Sequence, residues 1–235
     1  MTPPRPSPPS SPTHHVPEHG LVEYVAGAAT DGAALAFACH ASLCASCAAE
    51  VAALESLGGA ILEESPGQEL GPGALESVLA RLGTTPQLAA PLAGAVAVPP
   101  VAVPGFLAGC DLPAPLLRAL PSVEGWRTVV PGMRVVDLPL AVPGGALRLV
   151  RFKGGVTIPL HDHGGPEYIV VFTGALEEKS DGQRFGRGDV SIRLPGERHE
   201  QRATPGEPCV ALVVNEGALR PLTLRGRLLL AIARD

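Results

Sequence analysis

From residue 15 to residue 82 apolar residues recur every three or four positions, and after Pro121 they recur every second position, so the chain divides into a helical half and a strand half. In the first half Leu21, Tyr24, Val25 and Ala28 make one stripe, and Leu75, Val78, Leu79 and Leu82 make another. A helix is also predicted from about Ala48 to Glu64, with Val51, Leu54, Leu57 and Ile61 facing inward. Pro66 and Gly67 stop it, and the pair Gly58–Gly59 weakens it. Thr30 and Asp31 offer a cap between the first helices.

In the second half "WRTVV", "MRVVDLPL", "ALRLVRF", "EYIVVF", "DVSIRL" and "CVALVV" are separated by Pro and Gly turns. Short, evenly spaced strands of this kind predict an antiparallel sandwich or barrel. Residues 83–121 fit neither period: they hold eight prolines, many alanines, and only Asp111 and Arg118 as charges. This stretch reads as a connector, semi-extended and partly laid on a domain surface, with docking of Leu112–Leu120 as a short helix the sharper alternative. The start, "MTPPRPSPPSSPT", has the prolines of an extended, solvated leader. The expected organisation is therefore a leader over 1–13, a helical module over 14–82, the connector over 83–121 and an all-β module over 122–235.

A length of 235 residues allows two modest domains, each with a core of its own. A net charge of −5 and the lack of any basic stripe argue against direct nucleic-acid binding, which needs clustered Lys and Arg. The leader lacks the apolar segment of a secretory signal. No apolar run is expected to reach the roughly 20 residues that span a bilayer, so a cytoplasmic protein without a membrane partner is expected. Five cysteines, two of them in a C-x-x-C, favour metal or redox chemistry over a disulfide framework in a reducing compartment.

The stretch "CHASLCASC" carries that chemistry. His40, Cys44 and Cys47 supply three of the four imidazole and thiolate ligands that close a tetrahedral Zn2+ site. On one straight helix His40 and Cys47 would stand about 10 Å apart along the axis, at about 1.5 Å per residue. A helix ending near Cys44, with Cys47 opening the next, is therefore expected. The fourth ligand must come from elsewhere, and His14, His15 and His19 are the candidates. A redox C-x-x-C normally sits at a βα junction, and nothing nearby reads as a strand. Cys39 reads as a small buried hydrophobe.

"HHVPEHGLVEYVAG", "CHASLCASC" and "ALESLGGAILEE" resemble the N-terminal zinc-binding domain of ChrR-type anti-sigma factors. The resemblance implies that His15, the second histidine of "HH", joins His40, Cys44 and Cys47 around zinc, with His14 and His19 as substitutes. It also implies a partner, an extracytoplasmic-function sigma factor, sequestered in the cytoplasm.

A second constellation lies in the strand half. His161 and His163 alternate by two, so on a strand they face the same way, and Glu167 can return to that face across a short turn. His199 can complete the set from a later strand. Gly155, His161-x-His163, Glu167 and Gly174 match the first cupin motif without a gap. The second motif fits at Gly188 and Gly196-x-x-His199, but its proline falls one place late at Pro195 and Ala203 replaces the usual asparagine. Three histidines and a carboxylate hold Zn, Fe, Mn or Ni, since such ligands discriminate poorly.

ChrR-type proteins carry a cupin-like domain after a connector, so the resemblance covers nearly the whole chain beyond the leader and is weakest over 83–111. The expected fold is α plus β in two domains, a small zinc-binding helical bundle followed by an antiparallel cupin barrel. The resemblance implies zinc in the cupin too, and release of the sigma factor under singlet oxygen or related oxidants. Cys209 lies in a stretch resembling family members, where a buried strand thiol is the plainer reading. A second hypothesis is a metal-dependent, dioxygenase-like cupin enzyme whose N-terminal module mediates oligomerisation. Its candidate acids and bases, Asp162, Tyr168 and Glu197, more often solvate or cap. A closed structural zinc site has no open position for catalysis, which favours the regulator and no enzymatic activity.

Overall fold

The computed structural model describes residues 11–82, 84, 105–107, 109–120, 125–142 and 144–233. The expected leader falls almost wholly outside these residues, as does much of the connector. Four helices come first: α1 (Glu18–Val25), α2 (Asp31–Ala41), α3 (Ala45–Glu64) and α4 (Ala74–Leu82). Thr30 caps α2 by accepting a hydrogen bond from the Ala33 amide at 3.2 Å, and Asp31 sits in its first turn, where a carboxylate suits the helix dipole.

Among the described residues eleven strands follow, in two sheets whose neighbours all run antiparallel. The first has the order β1 (Arg127–Val130), β2 (Met133–Asp137), β3 (Ala146–Phe152), β10 (Cys209–Asn215), β5 (Glu167–Thr173), β8 (Val190–Arg193). The second has the order β11 (Leu219–Pro221), β4 (Thr157–His163), β9 (His199–Ala203), β6 (Leu176–Glu178), β7 (Arg184–Phe185). The inner core between them is Val135, Val150, Phe152, Ile169, Val171, Leu176, Phe185, Ala203, Cys209 and Ala211. A C-terminal helix, α6 (Leu224–Ala233), packs on β1, β4 and β11.

The outer face of the first sheet is also buried. Val136, Leu147, Leu149, Val170, Leu212 and Val214 form one continuous core with Leu35, Ala36, Phe37 and Cys39 of α2. Phe37 meets Tyr168 edge to face with ring centroids 5.3 Å apart. At the start of α2, a Cβ on Gly32 would lie 2.6 Å from Val214 Cγ1, so glycine permits the close approach of helix to sheet. The two modules thus share a core.

The connector supplies the third part of that core. Its described residues form a short 3-10 turn, Gly105–Leu107, and a helix, α5 (Ala114–Ala119), in which Leu116 is fully buried with Leu107 and Leu112 beside it. Arg187 fixes the segment through Asp111, its guanidinium 2.6 Å from the carboxylate. The docked short helix, rather than an extended strap, is what these residues show.

α3 and α4 depart from the expected packing. Val51 and Leu54 pack against the core, but Leu57, Ile61, Leu75, Val78, Leu79 and Leu82 are all more than half exposed. Cys47 alone of α3 is buried, and no residue of α4 is. The stripes are real, yet they turn outward because the described body ends near Leu54. Gly58 and Gly59 stay helical despite a cost of about 1 kcal/mol each relative to alanine. α3 is therefore long and apolar enough, by length and composition, to cross a membrane, contrary to the expectation that no run reaches that length.

Candidate metal centres

The helical centre is built at a break. α2 ends at Ala41, three residues before the expected point, and Cys44 becomes the N-cap of α3 with φ −120°. This folds Cys47, in the first turn of α3, back toward His40, in the last turn of α2. His15 arrives from the segment just before α1. His40 Nε2 stands 3.2 Å from Cys47 Sγ, and His15 Nδ1 stands 3.3 Å from Cys44 Sγ and 3.6 Å from Cys47 Sγ. All four donor atoms lie within 4.8 Å of one another, with His15 at the exposed rim and the other three buried. Metal bonds of about 2.0–2.3 Å place tetrahedral ligands about 3.5 Å apart, so the spacing fits Zn2+. Burial, reinforced by the adjacent Cys44, pushes the Cys47 thiol up to about 11. Its thiolate therefore needs a cation in the cluster. His19 lies on the exposed side of α1, and His14 turns instead to Asp189, 3.5 Å away.

The second centre lies between the sheets. β4 carries His161 and His163 at its end, β5 begins with Glu167, and β9 begins with His199. The turn between β4 and β5 passes so close to the Glu216–Gly217 backbone that a Cβ on Gly165 would run into the Glu216 carbonyl. His161, His163, Glu167 and His199 are all buried, with donor atoms within 4.8 Å of one another. The Nε2 atoms of His163 and His199 are 2.9 Å apart, and Glu167 reaches them at 3.4 and 3.3 Å. His161 Nδ1 donates to the Pro159 carbonyl at 2.8 Å, which leaves Nε2 as a lone pair.

Burial, then the neighbouring histidines, lowers His161 to about 4 and His163 to about 3, so both rings are neutral near pH 7. Burial raises Glu167, against the opposing influence of His199 and Asn215. Glu167 Oε2 is buried without a hydrogen bond, and His199 Nδ1 is buried facing the Glu178 carboxylate. Three imidazoles converging on a buried carboxylate are the donor set of a divalent cation. A cavity of about 130 Å³, lined by Val129, Met133, Ile158, Pro159 and Leu219, reaches His161 from the side under α6.

Two supporting residues escape a reading of motifs. Glu178, fully buried on β6, stands 3.4 Å from His199 Nδ1 and takes the Glu200 amide at 3.1 Å. Burial would raise its pKa, but the His199 ring, that amide and Arg193 outweigh it and hold it low. Asn215 donates to Glu167 Oε1 at 2.7 Å and lies 3.2 Å from His163 Nδ1. Both come from other strands, and the two adjacent glutamates of β6, "LEE", give no sign in sequence of which one turns inward. The acid and base candidates are committed elsewhere. Asp162 pairs with Arg220 at 2.6 Å, Glu197 accepts from the Leu194 amide, and Tyr168 packs on Phe37 outside the barrel. Cys39 and Cys209 are buried, each pushed up to about 12 by burial.

Residues 119–220 match the ChrR cupin-like domain family. The chain is 34% identical over 208 residues to the anti-sigma-E factor ChrR of Cereibacter sphaeroides, covering 88% of this chain and 91% of that protein. Among solved structures it is similar to that of Rhodobacter sphaeroides SigE in complex with the anti-sigma ChrR, with a TM-score of 0.67, 29% identity, and coverage of 87% of this chain and 99% of that one. The chain belongs to the ChrR-type anti-sigma factors, with an N-terminal His/Cys cluster and a C-terminal cupin-like domain.

Proposed function

We propose that this chain sequesters an extracytoplasmic-function sigma factor in the cytoplasm and releases it when the cupin registers an oxidant such as singlet oxygen. The observation that carries the reading is the exposed apolar surface of α3 and α4, where Leu57, Ile61, Leu62, Leu75, Val78 and Leu79 are each at least 55% exposed. A face of that kind marks a protein interface, and a similar anti-sigma protein is solved in complex with SigE. The module boundaries follow as 14–82 for the helical part, 83–121 for the connector and 122–235 for the cupin.

In this reading His15, His40, Cys44 and Cys47 hold structural zinc, and His161, His163, Glu167 and His199 hold zinc or another divalent metal. The helical zinc supplies cross-linking, tying the approach to α1 and the ends of α2 and α3 to one point. α1 and α2, of 8 and 11 residues, are marginal alone in water, so the clip fixes the base from which α3 projects its apolar face. In the cupin, His161 and His163 are already neutral and His161 presents Nε2, so no proton has to leave before they ligate. The cavity beside His161 admits a molecule of a few heavy atoms, which suits access by a small oxidant. With Asp162, Tyr168 and Glu197 engaged elsewhere, no free acid or base stands at the cluster among the described residues, and a regulator fits better than a turnover enzyme.

A reporter driven by the cognate sigma factor tests this. Ile61→Glu with Leu79→Glu should relieve repression without oxidant, whereas Glu167→Gln should keep repression and blunt induction by singlet oxygen. Full repression by the double variant would remove the proposed docking face.

A further inference from the structure

The helical metal centre does not end at the helical module. His40 Nδ1 donates to the carbonyl of Gly188 at 2.7 Å, in the turn between β7 and β8 of the barrel, and both partners are buried there. That bond places the ring proton on Nδ1 and leaves Nε2, the atom facing Cys47, as a lone pair. Gly188 has φ +85°, and a Cβ on it would stand 2.7 Å from Pro12 and 3.5 Å from Leu43, so the turn is fitted closely against the helical module.

The next residue holds the other side of the centre. Asp189, 5% exposed, accepts the Thr13 amide at 2.6 Å and the His14 amide at 2.9 Å through Oδ1, while Oδ2 takes the Gly186 amide at 2.7 Å. The Val190 amide closes the junction on the His14 carbonyl at 3.3 Å. The chain is thereby pinned at the two residues before His15. One cupin turn thus sets the tautomer of one ligand and the approach of another.

We infer that Gly188 and Asp189 of the cupin are positioning residues of the helical metal centre, so that its affinity for metal is set in part by the barrel. The inference rests on the reading that His15, His40, Cys44 and Cys47 hold a metal. Partners of ligands contribute about 10- to 100-fold to metal affinity in comparable sites. A change of shape at β8 would then be felt at the helical centre as loss of these bonds, giving the barrel a route to the sigma-binding module that does not pass through the connector.

The test is a Co2+ titration of the metal-free full chain, in which thiolate-to-cobalt absorption reports the helical centre and the d–d bands of the sulfur-free site report the cupin. Asp189→Ala should weaken cobalt at the thiolate centre about 10-fold, with the cupin affinity unchanged. Asp189→Asn, which can keep the carbonyl acceptor toward Thr13 and His14, should recover most of the loss. Equal affinity in Asp189→Ala and the parent overturns the inference. So does parallel weakening of both centres with a lowered Tm, which marks general destabilisation. Absence of thiolate-to-cobalt absorption in the parent overturns the prior reading of the cluster as a metal site, and the inference with it.

Discussion

The two centres are made in opposite ways. Three candidate ligands of the helical centre fall within eight residues, on either side of one helix break, and the fourth sits at an exposed rim. The cupin centre draws four buried candidate ligands from three strands and surrounds them with Glu178, Asn215 and a packed barrel. A barrel with its own inner core keeps its shape whatever its centre holds. The helical centre joins the short helices α1 and α2 to the start of α3, and a metal held there would make binding and local folding one event. Loss of a ligand should therefore damage structure in the first case and signalling in the second.

The largest expected effect breaks the comparison at its weaker end. Cys47→Ser removes a ligand buried at the start of α3, so the chain should lose one metal per molecule and with it inhibition of the sigma factor. Metal analysis should still find the cupin ion. Inhibition equal to that of the parent would show that the packing of α2 on the barrel, without the metal, suffices to present α3.

That packing sets the next effect. Leu116 of α5 is fully buried where α2, α5 and the first sheet meet. Leu116→Ala should cost about 2–5 kcal/mol of stability, and the helical module and barrel should lose it together in one denaturation transition. Two separated transitions, with only one of them shifted, would restore the picture of independent modules joined by a connector. On the shared core, residues 14–82 alone should bind the sigma factor less well than the full chain, because α2 would leave its buried face in water.

The sequence made the two periods, the ligand spacing and the strand register of the histidines legible, since each is local. It did not show the shared core, although a trace was there. "CVALVV" is apolar at every position, not at alternate ones, and a strand of that kind is buried on both faces. The outer face of β10 had to be covered, and α2, with α5 packed beside it, covers it. The stripes of α3 and α4 misled for the converse reason: periodicity reports that a helix has an apolar face, but not whether that face meets its own chain or another. Glu178 and the Gly188 carbonyl were out of reach because they support ligands across gaps of 21 and 148 residues, and a carbonyl has no residue type to recognise.

The smallest expected effect lies within the cupin centre and sharpens what its surroundings add. Glu178 is held below the usual carboxylate range inside the barrel by the His199 ring, the Glu200 amide and Arg193, which together outweigh the opposing effect of burial. A carboxylate beside the far nitrogen of a metal-binding imidazole fixes the ring and raises its basicity. Glu178→Gln keeps the shape and the acceptor for Glu200 but removes the charge, so cupin metal affinity should fall about 10-fold, equivalent to about 1.4 kcal/mol. The helical centre, which shares no residue with this network, should bind as before. Competition with a chromophoric chelator, run on the parent and the variant, measures both constants in one titration. An unchanged cupin constant would mean that β9 alone orients His199, and that the barrel rather than its buried charge preorganises the site.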